Sequence, residues 1–356
     1  MKVCIIGDGL VSLTLANVLI KKKLFVDIYK PKKKNLYDKS RTLGISKSNT
    51  DYFNNEIINI RKILWKIQNI KIYTEKNSKE ELLKFDNKNK EVFSIIRNYQ
   101  LQKLLLIKLK KFKFFNLKKN LNIDDEKYKL IINSDPHFPN LKRHFSKKIE
   151  KNYNSYAYTT TIFHKKIKNN TAYQNFTKNG PIAFLPISES ETSIVYSFKS
   201  IDKKNNFEMN NLIKRYNPIY FIKKINNWNS FKLRSSTLRN YYKDNILAFG
   251  DLIHKIHPLA GQGFNMSLRD IKLLSELIDE KINLGLDLDS SICHEFQRRS
   301  QDKNFIFLSG IDWVYELFNF ENSINSSLLN KSINLIGNNS VVNTFLKKFA
   351  DTGFRY

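Results

Sequence analysis

The chain has 356 residues, 61 of them Lys or Arg against 33 Asp or Glu, for a formal net charge of +28. Hydrophobic residues make up 41% and aromatics 13%, with only 11 Gly and 7 Pro, so the chain can bury a core, and disordered, collagen-like and low-complexity classes are excluded. Its two cysteines, Cys4 and Cys293, can build neither a disulfide framework nor a thiolate zinc site, and a reducing compartment is the natural reading.

Lysine supplies most of the charge and is spread through nearly every segment beside abundant Asn and Ile, as AT-rich codons would write. Such charge reads either as a solvated surface or as one that attracts anionic lipid. Nucleic-acid readers cluster Arg with aromatics, and no zinc-finger, RRM, KH or homeodomain pattern is present, so no nucleic-acid partner is expected. No stretch of about 18 residues has the uninterrupted apolar character of a spanning helix. Val3 to Ile20 imitates a signal peptide, but Asp8 interrupts it and no small-x-small cleavage site follows. The expectation is a soluble, cytoplasmic protein that touches at most the inner face of a membrane.

Val3-Cys4-Ile5-Ile6 is a short, branched, apolar run of the kind that forms a parallel strand buried on both faces. Gly7-Asp8-Gly9-Leu10-Val11-Ser12 follows, and Leu13, Leu15, Ala16, Leu19 and Ile20 then give a helical apolar stripe. Leu24 to Tyr29 reads as a second strand. In that context the glycines have distinct tasks. Gly7 permits the tight turn, Gly9 lets the backbone approach a pyrophosphate, and Ser12 is the small third residue where helix and strand pack. The helix start points free N–H groups at the phosphates. One part is missing: the acidic residue that should end the second strand and accept the ribose hydroxyls is Lys30. Asp27, three residues back, lies on the other face of the strand.

In mid-chain, Ser155 to His164, Ile182 to Pro186 and Thr192 to Phe198 read as strands of a second sheet. Ile246-Leu247-Ala248-Phe249 is another apolar strand, running into Gly250-Asp251-Leu252-Ile253-His254 and then His257-Pro258-Leu259-Ala260-Gly261-Gln262-Gly263-Phe264-Asn265. From Met266, Leu268, Ile271, Leu274, Leu277 and Ile278 recur at helical spacing. Two glycine loops, each delivering a helix start and separated by most of the chain, point to one long ligand held at two places, of which FAD is an example. Asp251 lies where its polyol could be held. His254 and His257 read as ordinary loop histidines, and no metal site is expected. Asp289 to Tyr356 reads as mainly helical, with Phe305-Ile306-Phe307-Leu308 and Trp313 to Phe318 taken most simply as core.

The string from Gly250-Asp251 through His257-Pro258-Leu259-Ala260-Gly261-Gln262-Gly263-Phe264-Asn265 to Arg269-Asp270 resembles the flavin-dependent aromatic hydroxylases, and most closely their ubiquinone-biosynthesis monooxygenase branch. Arg41 to Ser46, Asn98 with Leu101 and Leu105, Thr171 to Phe176, Gly180 to Pro186, Arg298 to Asn304 and Lys347 to Gly353 carry the resemblance along the chain. It implies an α/β fold: a discontinuous Rossmann-like FAD-binding domain (1–50, 90–136 and 240–285), an inserted β-sheet substrate domain (51–89 and 150–239) and a helical C-terminal region (286–356). Gly7, Gly9 and Ser12 would surround the adenine-side pyrophosphate, Arg41 would reach phosphates or ribose, and Asp251 would hold the ribityl chain. Pro258, Gly261, Gly263 and Asn265 would line the isoalloxazine. Asp135 is a further cofactor-contact candidate, although Pro136 stands where the family has glycine.

The implied activity is hydroxylation of a polyprenylated phenol on the route to ubiquinone, with NAD(P)H and O2 as co-substrates and a flavin hydroperoxide as oxidant. No catalytic side chain is required, because the flavin carries the chemistry. A quinone-biosynthesis complex and an anionic membrane surface are the further partners it implies. The alternative is a degenerate, non-catalytic scaffold in such a complex, motivated by Lys30 and Pro136. A halogenase is disfavoured because Trp65, Trp228 and Trp313 stand alone, without its Trp-x-Trp signature.

Overall fold

A computed structural model describes residues 1–30, 40–75, 81–86, 91–119, 128–138, 143–199, 204–256 and 261–323. The first half of the chain contains β1 (Lys2–Ile6), α1 (Leu10–Lys21), β2 (Phe25–Tyr29), β3 (Thr42–Ser46) and α2 (Lys47–Tyr52). It continues with β4 (Leu64–Ile67), β5 (Asn69–Thr74), β6 (Leu83–Asp86), β7 (Phe93–Arg97), α3 (Asn98–Leu109), β8 (Phe115–Lys118) and β9 (Leu130–Asn133). Then come β10 (Lys148–His164), β11 (Thr171–Thr177), β12 (Gly180–Pro186), β13 (Glu191–Lys199), α4 (Asn206–Tyr216), β14 (Ile222–Ile225) and β15 (Asn229–Leu238). The last elements are β16 (Tyr242–Lys243), β17 (Ile246–Ala248), β18 (His254–Lys255), α5 (Gln262–Asn283) and α6 (Ser290–Ser323).

The first sheet has the order β16-β17-β9-β1-β2-β8, with every pairing parallel except that of β16. Residues 3–6 of β1 are fully buried, which is why this strand carries no polar alternation. Helix α1 crosses from β1 to β2 and is buried almost all round, because α3, α5 and the sheet all pack on it. Its buried polar residues are Ser12, Thr14 and Asn17, of which Asn17 donates to the Leu13 carbonyl and to the Leu105 carbonyl of α3.

A nine-stranded sheet holds the middle of the chain, with the path β18-β15-β10-β13-β12-β11-β5-β6 and β14 beside the end of β10. It is antiparallel apart from β11 and β5. One face packs on α4 through Tyr158, Phe184, Ile194, Tyr196, Met209 and Ile213. A third sheet, β3-β7-β4, lies between the other two. Thr42 Oγ1 donates to Ser193 Oγ at 3.0 Å, and the Arg97 guanidinium meets Glu191 at 2.7 Å, so β3 and β7 are pinned to the start of β13.

In α6, Phe307, Leu308 and Ile311 are buried against Met266, and Arg269 lies over the Phe307 ring at 3.9 Å. The expected aromatic core of this helix is only half realised: Phe305 and Ile306 are half exposed and Trp313 largely exposed, because only one stripe of the helix meets α5. Residues 324–356, including Lys347 to Gly353, lie outside the described residues.

Asp27 anchors β2 from the inside. Its buried carboxylate accepts from Asn116 at 3.0 Å and Tyr128 at 2.8 Å, with Lys2 and Lys118 at 3.0 and 3.3 Å. Burial alone would raise its pKa, but these bonds outweigh it and hold it below the usual value. A depressed carboxylate contributes stability that is present above the unfolded pKa and lost as pH falls through the folded one. Asp27→Asn should therefore cost about 1–3 kcal/mol at neutral pH, and the variant should lose less stability than the parent between about pH 5 and pH 2. Urea unfolding across that range measures both, and parallel pH profiles would contradict the assignment.

Candidate cofactor site

The strand order reverses at β1, which has β2 on one side and β9 on the other, so a crevice opens at the carboxyl ends of β1 and β9. Gly7 ends β1 there with φ +112° and donates its N–H to the Tyr29 carbonyl at 3.0 Å. A Cβ at this position would lie 2.4 Å from Ser134 Oγ, so no larger residue fits. Ser134 donates to the Ile6 carbonyl at 2.9 Å and is in turn 2.6 Å from Ser12 Oγ, which makes Ser12 the donor of that pair. Ser12 thus bonds across the crevice floor and keeps α1 close to the strands.

Gly9 is the residue before α1, and its surroundings differ. A Cβ built on it meets no atom within 4 Å, and its φ of −70° is ordinary. No side chain caps α1 among the described residues, and its first turn contains no acid. The result is an open helix N-terminus over empty space, the arrangement that binds a phosphate.

Gly250 follows β17 with φ +61°, and its ideal Cβ lies 3.2 Å from Val11 Cγ1. The second glycine loop therefore rests on the first turn of α1, with the exposed Asp251 beside it. Gly261, in the left-handed region at φ +64°, precedes α5, which likewise has no side-chain cap and no acid in its first turn. A Cβ there would come within 3.2 Å of the Gly44 amide, so β3 and α5 meet backbone to backbone. Gly263 has only an ordinary 3.7 Å neighbour, Ile256. Pro258 lies outside the described residues.

The Asn265 side chain is buried and fully bonded to protein. Its Oδ1 accepts from the Ser46 amide at 3.1 Å and from Asn49 at 3.0 Å, while Nδ2 donates to the Gly44 carbonyl at 3.0 Å. Within the chain this side chain acts as a tie between β3 and α5, which leaves its backbone for a ligand. Arg41, just before β3, is exposed and makes no ion pair among the described residues. Asp135 folds back on itself: its Oδ1 accepts the His137 amide at 2.9 Å, and its own amide donates to Asn133 Oδ1 at 3.0 Å. Pro136 occupies the second position of that turn, where its fixed φ is suited, and delivers Phe138 edge-on to Tyr29.

A buried tie was invisible in the sequence. His254 Nε2 lies 2.5 Å from Asp270, whose other oxygen accepts from Asn304, linking the loop after β17 to both α5 and α6. The sixteen-residue spacing crosses a loop whose path only the fold defines. No cluster of metal ligands occurs among the described residues.

Two ends of an extended ligand thus have prepared helix starts, with an acid between them on the loop at Gly250. A dinucleotide-length cofactor with a pyrophosphate, a polyol and a ring fits that set of groups. The comparisons agree. The family described as FAD binding domain matches residues 156–285. The mitochondrial ubiquinone biosynthesis monooxygenase COQ6 of Dictyostelium discoideum is 27% identical over 206 residues, covering 47% of this chain and 42% of that protein. The 3-demethoxyubiquinol 3-hydroxylase of Escherichia coli is 28% identical over 156 residues, covering 42% of this chain and 40% of that protein. The chain therefore spans about two-fifths of the length of each of these curated relatives. Among solved structures, p-nitrophenol 4-monooxygenase PnpA of Pseudomonas putida superposes with a TM-score of 0.80 at 13% identity, covering 99% of this chain and 98% of that one. HpxO of Klebsiella pneumoniae, complexed with FAD and uric acid, gives 0.75 at 11%, covering 99% of this chain and 97% of that one. The fold is that of the FAD-dependent aromatic monooxygenases, and FAD is the cofactor it holds.

The two glycines of the first turn make opposite predictions. Gly9→Ala adds a methyl to open space and should leave the unfolding midpoint unchanged while weakening FAD binding by at least about tenfold. Gly7→Ala collides with Ser134 and should cost about 2 kcal/mol of stability. Thermal unfolding of the apoprotein and flavin fluorescence titration separate the two. Unaltered FAD affinity in Gly9→Ala would exclude that turn as the pyrophosphate site.

Proposed function

We propose that this chain, a relative of the ubiquinone-biosynthesis hydroxylases built on the FAD-dependent aromatic monooxygenase fold, hydroxylates the ring of a polyprenylated phenol using NAD(P)H and O2. The observation that carries the reading is the pair of uncapped, acid-free helix starts on α1 and α5, with the Gly250–Asp251 loop packed on the first of them. A scaffold has no chemical need for either opening, which weighs against the non-catalytic alternative.

The residues would act by holding and shielding. The α1 amides and Gly9 would take the pyrophosphate, Asp251 the ribityl hydroxyls, and the α5 amides the ring end, where the helix dipole favours negative charge. When bound, FAD supplies the redox chemistry and the activation of oxygen. The ties from Asn265 to β3, and from Thr42 and Arg97 to β13, set the substrate sheet against the cofactor domain, so that a phenol could be oriented and water kept away.

Absorption spectroscopy of the purified protein tests the cofactor, and oxygen-dependent NAD(P)H oxidation with prenylated phenols tests the chemistry. Bound FAD near one per chain and phenol-stimulated turnover are expected. Protein that neither carries nor takes up FAD would exclude the enzyme reading.

A substrate with a polyprenyl tail resides in a bilayer, and one surface suits such a place. Ile219 and Phe221 are more than half exposed after α4, with Lys165 over the Phe221 ring at 4.2 Å and Lys223 and Lys224 just beyond. Among the described residues no helix is long and apolar enough to cross a membrane. Peripheral binding through this loop is the reading. Phe221→Ser should reduce co-sedimentation with vesicles containing phosphatidylglycerol by about threefold or more, and equal sedimentation would count against it.

A further inference from the structure

Lys30 occupies the strand-end position where dinucleotide folds place the acid that accepts the adenosine ribose hydroxyls. Its ammonium lies 3.5 Å from Asp8 Oδ2, a carboxylate set between the two glycines of the first turn. Both side chains are held by rigid backbone. Gly7 donates to the Tyr29 carbonyl at 3.0 Å, joining the turn to the end of β2, and the Lys30 amide donates to the Lys118 carbonyl at 3.1 Å. Both remain open to a ligand, with Asp8 27% and Lys30 51% exposed. Asp27 is not available as a substitute, because Asn116, Tyr128, Lys2 and Lys118 already hold its two oxygens.

We propose that Asp8 is the ribose acceptor of this chain, moved from the strand end into the glycine turn, and that Lys30 is the residue that positions it. The exchange has an electrostatic reason. A carboxylate in the turn stands nearer the pyrophosphate than one at the strand end, and unopposed it would repel the ligand. Lys30 cancels that charge and keeps the oxygen aimed at the mouth of the crevice. The absent strand-end acid is then a relocation, and restoring it alone would harm the site by placing two carboxylates beside two phosphates.

The proposal rests on FAD binding by this chain and is tested on the apoprotein by flavin fluorescence titration, with circular dichroism to confirm folding. Asp8→Asn should weaken FAD binding by about ten- to a hundredfold, the worth of one charge-assisted hydrogen bond. Lys30→Glu should also weaken it, and the double variant Asp8→Asn/Lys30→Glu, with its acid back at the strand end, should recover to within about threefold of the parent. A general structural defect would give additive losses in the double variant, so recovery identifies the acceptor role. Tighter binding by Lys30→Glu, unchanged binding by Asp8→Asn, or additive losses would each overturn the relocation while leaving the FAD reading intact. A parent chain that takes up no FAD would overturn both.

Discussion

One side chain determines where the second half of the candidate cofactor site begins. Asn265 reaches four backbone and side-chain groups, on Ser46, Asn49, Gly44 and Gly261, and thereby holds the start of α5 against β3. Glycine at 261 eases this contact, since a Cβ there would come within 3.2 Å of the Gly44 amide. The placement of α5 depends on that closeness, since the helix starts at this junction and its buried face then packs on α1 and α6. A buried amide that makes all its bonds also gives the junction a single register, whereas an apolar contact would tolerate sliding.

The charge of the chain is less disorderly than its composition implies. Several lysines are tied to acids across long sequence distances, as with Lys22 and Asp279, Lys129 and Asp287, and Lys2 and Lys118 on Asp27. Lys129 and Asp287 form an exposed pair that contributes little on its own, whereas the two lysines on Asp27 meet a buried carboxylate. Their effect is local neutralisation, while the first turns of α1 and α5 contain no acid of their own.

Much of this was legible in the sequence, and the reasons are local. Strand, glycine turn and helix follow one another within residues 2–21 and again within residues 246–283, so short-range pattern is enough to find both loops. What was not legible depends on chain crossings. The hydroxyl of Ser12 looks like a mere small residue until Ser134 arrives from β9. Pro136 reads as a defect until the Asp135 turn that uses it is seen, and the side-chain ties of Asn265 to β3 appear only once the fold brings the two together. The aromatics of α6 show the limit from the other side: hydrophobicity alone does not say which stripe of a helix meets a neighbour, and Phe305 and Trp313 lie off it.

The parallel pairing of β5 with β11, and of β9 with β1 and β17, has a consequence for how the molecule comes into being. As the chain leaves the ribosome, β1 and α1 emerge well before β9, and the strand on the far side of β9 is not available until Ala248 has been made. Residues 69–74 similarly wait about a hundred positions for their partner on β11. Neither sheet can close while the nascent chain is short, so apolar strand edges stay open for most of synthesis, when aggregation competes. The same interleaving means that a fragment ending before Ile246 lacks the strand that flanks β9 in the first sheet. Such a fragment would expose the unpaired edge of β9, an aggregation hazard.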